Sequence, residues 1–151
     1  MKHRYKVLRV IFALSFLVSL MSCKEKLNEP IQYDPNALRV AGNYIATTFI
    51  LPGDDDGPVD VLANGGSITV ELTINYTTTG RIVIPKHPRL YGDGTDKTFK
   101  GTYTLKNDSL QFKDMYNVLS NPQLYFIVKE KKLEGQLLSI SPMIISLEKI
   151  N

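Results

Sequence analysis

The chain has 151 residues, 18 basic against 15 acidic, a formal net charge of +3, one cysteine, two histidines and no tryptophan. That length is one domain's worth, and a lone cysteine excludes an internal disulfide. The basic excess is confined to Lys2, Arg4, Lys6 and Arg9; without these four, 14 basic residues face 15 acidic ones, which excludes the clustered basic face of a nucleic-acid binder.

Those four basic residues open the chain, and an apolar run over residues 10–21 follows them. A run of this length suits the h-region of a cleaved signal, which is ~7–15 residues long, and falls short of the ~20 that a spanning helix needs. Leu20-Met21-Ser22-Cys23 closes the run. Basic head, short apolar stretch, small residue and then the sole cysteine resemble a bacterial lipoprotein signal peptide with its lipobox. The resemblance implies cleavage after residue 22 and acylation of Cys23. It also implies attachment to the cell envelope through two or three acyl chains, enough for stable anchoring where one chain is marginal. Lys24 directly after the cysteine, where an aspartate would retain such proteins in the inner membrane, points to the outer membrane. The expected organisation is a signal over 1–22, a lipidated tether over 23–40 and a β domain over 41–151.

Residues 24–33 are polar, contain Pro30 and show no period. Asp34-Pro35 then reads as a capping side chain followed by a ring suited to the first helical position, predicting a short helix over 36–41 that ends at Gly42, with a plain turn as the alternative. The rest is β. Residues 44–51 form the first strand. Over 67–76, Ile68, Val70, Leu72, Ile74 and Tyr76 alternate with polar residues, a period of two that puts one face in the core. A turn at Thr79-Gly80 and a short strand over 81–84 follow. Residues 98–105 alternate with Phe99, Gly101, Tyr103 and Leu105 on one side. Asn107-Asp108 is a two-residue hairpin turn, and Leu110 and Phe112 resume the inward face. Further strands fall over 123–130, 133–140 and 143–149. About eight short antiparallel strands with turn signals predict an all-β fold, an up-and-down barrel or, as the alternative, a β-sandwich.

Gly42-Asn43-Tyr44 before the first strand, Gly101-Thr102-Tyr103-Thr104-Leu105 with Asn107-Asp108-Ser109-Leu110, and the closing strand over 144–149 resemble small bacterial lipocalin-like lipoproteins. The resemblance covers residues 41–151. Tyr44 stands where lipocalins carry a tryptophan. It implies an eight-stranded barrel that binds a small apolar or amphipathic ligand. A barrel of that size has an interior just wide enough for its own side chains or for one small ligand.

Candidate chemistry is sparse. His87, the one histidine after the signal, lies between two prolines in a loop, and no second histidine stands at ligand spacing. With no catalytic residues identified, the chain reads as a non-enzyme that needs no cofactor. Asp54, Asp56 and Asp60 are the weak calcium candidates, since that ion prefers several carboxylate oxygens; adjacent aspartates between Gly53 and Gly57 also describe a solvated loop. Lys86, His87, Arg89, Tyr91 and Lys97 give the 85–97 loop a basic, aromatic surface. Tyr44, Tyr76, Phe99, Tyr103, Phe112 and Phe126 are the candidate ligand-lining residues. They line a pocket if the barrel is hollow and form its core if it is solid. The partners to expect are the membrane, through the lipid, and either a small apolar ligand or another envelope protein.

Overall fold

The computed structural model describes residues 32–54, 57–90, 92–137 and 143–150. The expected signal, Cys23, residues 24–31 of the tether, Asp56, Tyr91 and the last part of the penultimate strand lie outside them. Residues Tyr33–Asn151 form a compact unit.

Helix α1 covers Pro35–Val40. Its cap is the expected one: Asp34 Oδ1 accepts the Asn36 amide at 2.8 Å, satisfying a donor that the helix cannot. Nine strands follow: β1 Gly42–Leu51, β2 Val59–Asp60, β3 Ser67–Leu72, β4 Thr77–Ile84, β5 Thr95–Lys106, β6 Ser109–Lys113, β7 Phe126–Lys129, β8 Lys132–Leu137 and β9 Met143–Lys149. A 3₁₀ turn, Val118–Ser120, interrupts the connection between β6 and β7.

The sheet runs β1-β3-β4-β5-β6-β7-β8-β9 and returns to β1, every pair antiparallel, while β2 lies on the far end of β1. Closure is made by β1 and β9, from Tyr44 opposite Lys149 to Ile50 opposite Ile144. The fold is therefore a closed eight-stranded barrel with one extra strand, and the sandwich alternative is set aside. Closure gives the first and last strands of the meander partners and removes most of the exposed edge. Alternation produces the core as expected: Ile68, Val70 and Leu72 of β3 are buried while Ser67, Thr69 and Glu71 are exposed.

Several boundaries differ from the sequence reading. The strand expected over 67–76 stops at Leu72. Thr73 to Tyr76 form the β3–β4 turn, in which the Tyr76 amide donates to the Thr73 carbonyl at 3.2 Å and the Thr73 amide to the Thr77 carbonyl at 3.0 Å. Tyr76 takes a left-handed φ of 61° there, so the apolar alternation at Ile74 and Tyr76 outlasts the strand itself. Thr79-Gly80 is no turn; both residues lie inside β4. Gly80 is required because a Cβ there would fall 2.2 Å from the Thr69 backbone oxygen on β3 and 2.5 Å from Cζ of Phe99, opposite it on β5. Strand β7 is four residues long rather than eight, because Asn121-Pro122 and the 3₁₀ turn occupy the stretch before it.

The two ends of the barrel are closed differently. Helix α1 covers one end, burying Ala37 and Val40. Tyr44 on β1 donates its hydroxyl to the Val40 carbonyl at 2.7 Å. Arg39 reaches the β5–β6 turn, donating to Asp108 Oδ1 at 2.7 Å and to the Asn107 carbonyl at 3.2 Å. The hydroxyl of Tyr76, from the β3–β4 turn, donates to the Asp34 carboxylate. At the other end, the β1–β3 connection buries Val59 and Val61, and the long β6–β7 connection buries Met115, Leu119 and Leu124.

Candidate functional site

The six candidate aromatics do not line a common pocket. Tyr44, Tyr103, Phe112 and Phe126 are each exposed by 2% or less. They are the core. Phe112 and Phe126 meet edge to face with ring centroids 5.2 Å apart, a favourable quadrupole arrangement. Phe126 also lies over Gly135, its cross-strand partner on β8. Tyr103 and Tyr76 rings are 5.2 Å apart at the α1 end. Tyr103 donates to the Thr73 carbonyl at 2.7 Å, so backbone carbonyls satisfy the buried phenols of both Tyr44 and Tyr103. Burial pushes the Tyr44 hydroxyl up to about 12. Burial does the same to Tyr103, also to about 12, with the nearby Tyr76, Tyr44 and Asp34 adding to it. Both remain neutral donors at any physiological pH.

Phe99 is different. It is partly buried and borders a cleft of ≈ 410 Å³ at the end of the barrel opposite α1, shared with Ile82, Lys97, Lys100, Met115 and Asn117. The cleft exists because β6 is short. Strands β5 and β6 pair only from Lys106–Ser109 to Thr102–Lys113. Asp114 then adopts a left-handed φ of 58° and turns the chain off the ladder, held by a 2.5 Å hydrogen bond from Thr102 Oγ1. Met115 folds inward over Gly101, whereas Tyr116 is fully exposed. Asn117 caps the 3₁₀ turn through Oδ1, which accepts the Leu119 amide at 2.9 Å. Its Nδ2 is enclosed and has no hydrogen-bond partner among the described residues.

The early part of β5 is thus paired on one side alone. The Tyr103 amide donates to the Tyr76 carbonyl at 3.0 Å. Antiparallel pairing alternates, so the odd-numbered residues of β5 address β4 and the even-numbered ones face the other way. Thr102 spends its outward groups on β6. Asp96, Thr98 and Lys100 point theirs at the open edge, where no described strand meets them. Lys97, Lys100 and Lys113 around this rim make no ion pair among the described residues, while Asp96 is held at 2.8 and 2.7 Å by Arg81 on β4.

The remaining candidates stand apart from the rim cleft. Asp60 is exposed, and its Oδ1 accepts the Ala63 amide at 3.1 Å. Asp54 is held in its loop through backbone hydrogen bonds to Arg89 at 3.1 Å and Gly57 at 2.9 Å. Among the described residues no three His, Cys, Asp or Glu side chains stand close enough together to hold a metal ion. His87 Nδ1 accepts the Arg89 amide at 3.2 Å within its own turn. Sequence reasoning passed over Asp96, Tyr116 and Asn117. No local signal marked them: Thr95, Asp96, Lys97 and Thr98 are all polar, so the alternation shows only from Phe99 although β5 starts at Thr95.

No family model, curated protein or solved structure matches the chain.

Proposed function

We propose that this chain is a lipid-anchored protein of the bacterial cell envelope whose barrel serves as a recognition domain and not as an enzyme or an enclosed carrier. The observation that carries this reading is the filled interior: the aromatics that would line a ligand chamber are packed on one another and on glycine notches. Recognition then falls to the outside, and the rim beside β5 is the best-equipped part of it. It joins a strand edge and lysines that have no partner among the described residues to a fully exposed tyrosine, and tyrosine is enriched where proteins meet. Anchoring rests on the resemblance of residues 1–23 to a lipoprotein signal.

A second reading has its own support. The rim cleft presents Ile82, Phe99 and Met115 beside Lys97 and Lys100, a lining suited to an amphipathic anion with an apolar tail, as the lipocalin-like resemblance implies.

A photo-crosslinking residue placed at position 116, with one at position 75 on the α1 end as the control, separates these ideas in intact cells. Crosslinks to an envelope protein from 116 and not from 75 support recognition at the rim. Crosslinks to lipid from 116 support the second reading. Equal labelling from both positions refutes a rim site.

A further inference from the structure

We infer that the open edge of β5 pairs with the same edge of a second copy of this chain, forming a two-fold symmetric dimer. The inference rests on the reading that the rim is a recognition surface, and it names the partner.

The backbone supplies the template. Asp96, Thr98 and Lys100 present outward N–H and C=O groups, and an unpaired row of this kind takes up another strand readily. A closed two-fold contact must be self-complementary, with residue i meeting j and j meeting i. The sequence of the edge, Asp96-Lys97-Thr98-Phe99-Lys100, meets that requirement when two copies run antiparallel about Thr98. Thr98 then faces Thr98, and the outward groups of these two residues bond each other across the axis. Asp96 of each copy faces Lys100 of the other on the outer face, as a hydrogen-bonded pair. On the inner face Lys97 of each copy faces Phe99 of the other, and an ammonium beside an aromatic ring is itself attractive.

Displacing the pairing by two residues removes this match. It sets Lys100 opposite Thr98 and leaves Asp96 without a cation across the seam. The lysines that would protect a lone edge against association are therefore matched in this register and in no neighbouring one. Arg81 on β4 already donates to both oxygens of Asp96 and keeps that carboxylate ionised, so Lys100 of the second copy shares it with that guanidinium.

The full-length protein, extracted from membranes in mild detergent, is expected to dimerise reversibly with a dissociation constant of about 1–100 µM, as suits a small interface. Asp96→Lys and Lys100→Asp should each weaken the dimer about tenfold, because symmetry turns two attractive pairs into two repulsive ones. Mixing the two single variants should restore association, since every Lys then faces an Asp. A fold defect within one chain cannot be cured by mixing. Thr98→Pro should abolish dimerisation with the melting temperature little changed, because the N–H it removes faces away from β4 and an edge position tolerates proline. A protein that stays monomeric throughout this range overturns the inference, as does a dimer indifferent to Thr98→Pro and to the charge exchanges. Crosslinks from position 116 to an envelope protein would in that case still uphold the rim as a recognition surface.

Discussion

At the residue scale, the barrel is packed by pairing rings with glycines. Phe126 is fully buried over Gly135, where an added Cβ would stand 2.6 Å from the ring. Gly135→Ala is therefore expected to destabilise the fold by ~1–3 kcal/mol, the usual cost of overpacking a core. That corresponds to a fall in melting temperature of roughly 5–15 °C, read by circular dichroism. Phe126→Leu in the same chain should recover part of the loss, because the smaller side chain vacates the notch. The aromatic half of each pair was legible in the sequence, since Phe99, Tyr103, Phe112 and Phe126 fall on the inward parity of their strands. The glycine half was not. Gly80 reads locally as a turn residue, and nothing nearby in the chain announces that a ring 19 positions later in the sequence lies across it.

Helix α1 shows how an element too short to be stable alone is kept in place. Six residues are far below the ~12–15 at which isolated helices become even marginal, so α1 depends on its contacts. Asp34 is central to them: it caps the helix and accepts the Tyr76 hydroxyl. Those hydrogen bonds, Tyr76 first and the Asn36 amide next, hold its carboxyl below the ordinary carboxylate range. A depressed carboxyl contributes stability above its unfolded value and loses it as pH falls through the folded one. The α1 amides should thus be protected from hydrogen exchange at neutral pH and lose protection below about pH 4. Asp34→Asn should show weaker protection with little pH dependence; an unchanged pH profile in that variant would show that another group holds the helix. The Asp-Pro start was readable from two adjacent residues. Docking onto the β3–β4 and β5–β6 turns was not, because Arg39 and Asp108 are 69 positions apart. The rim was hidden for a related reason: an unpaired edge is a property of two strands of unequal length, and no single segment carries it.

For the whole molecule, the proposed anchor and the fold are expected to be separable. The core of the described residues lies within Tyr33–Asn151. Cys23→Ala should leave the barrel's circular dichroism and melting unchanged while moving the protein from the membrane pellet to the soluble fraction. Retention in the pellet would refute lipid attachment at Cys23. The barrel itself follows from alternation and turn chemistry spread over the chain, signals strong enough that the architecture was readable even where boundaries slipped by several residues.

Around the ring, the joints are far from equal. Strands β4 and β5 share eight residue pairs, whereas β6 and β7 are stitched by two, Ser109 with Ile127 and Leu110 with Phe126. A hoop gives way at its narrowest weld, so thermal breathing concentrates there. The Tyr116-bearing connection that leaves this joint can shift while the opposite wall keeps its shape.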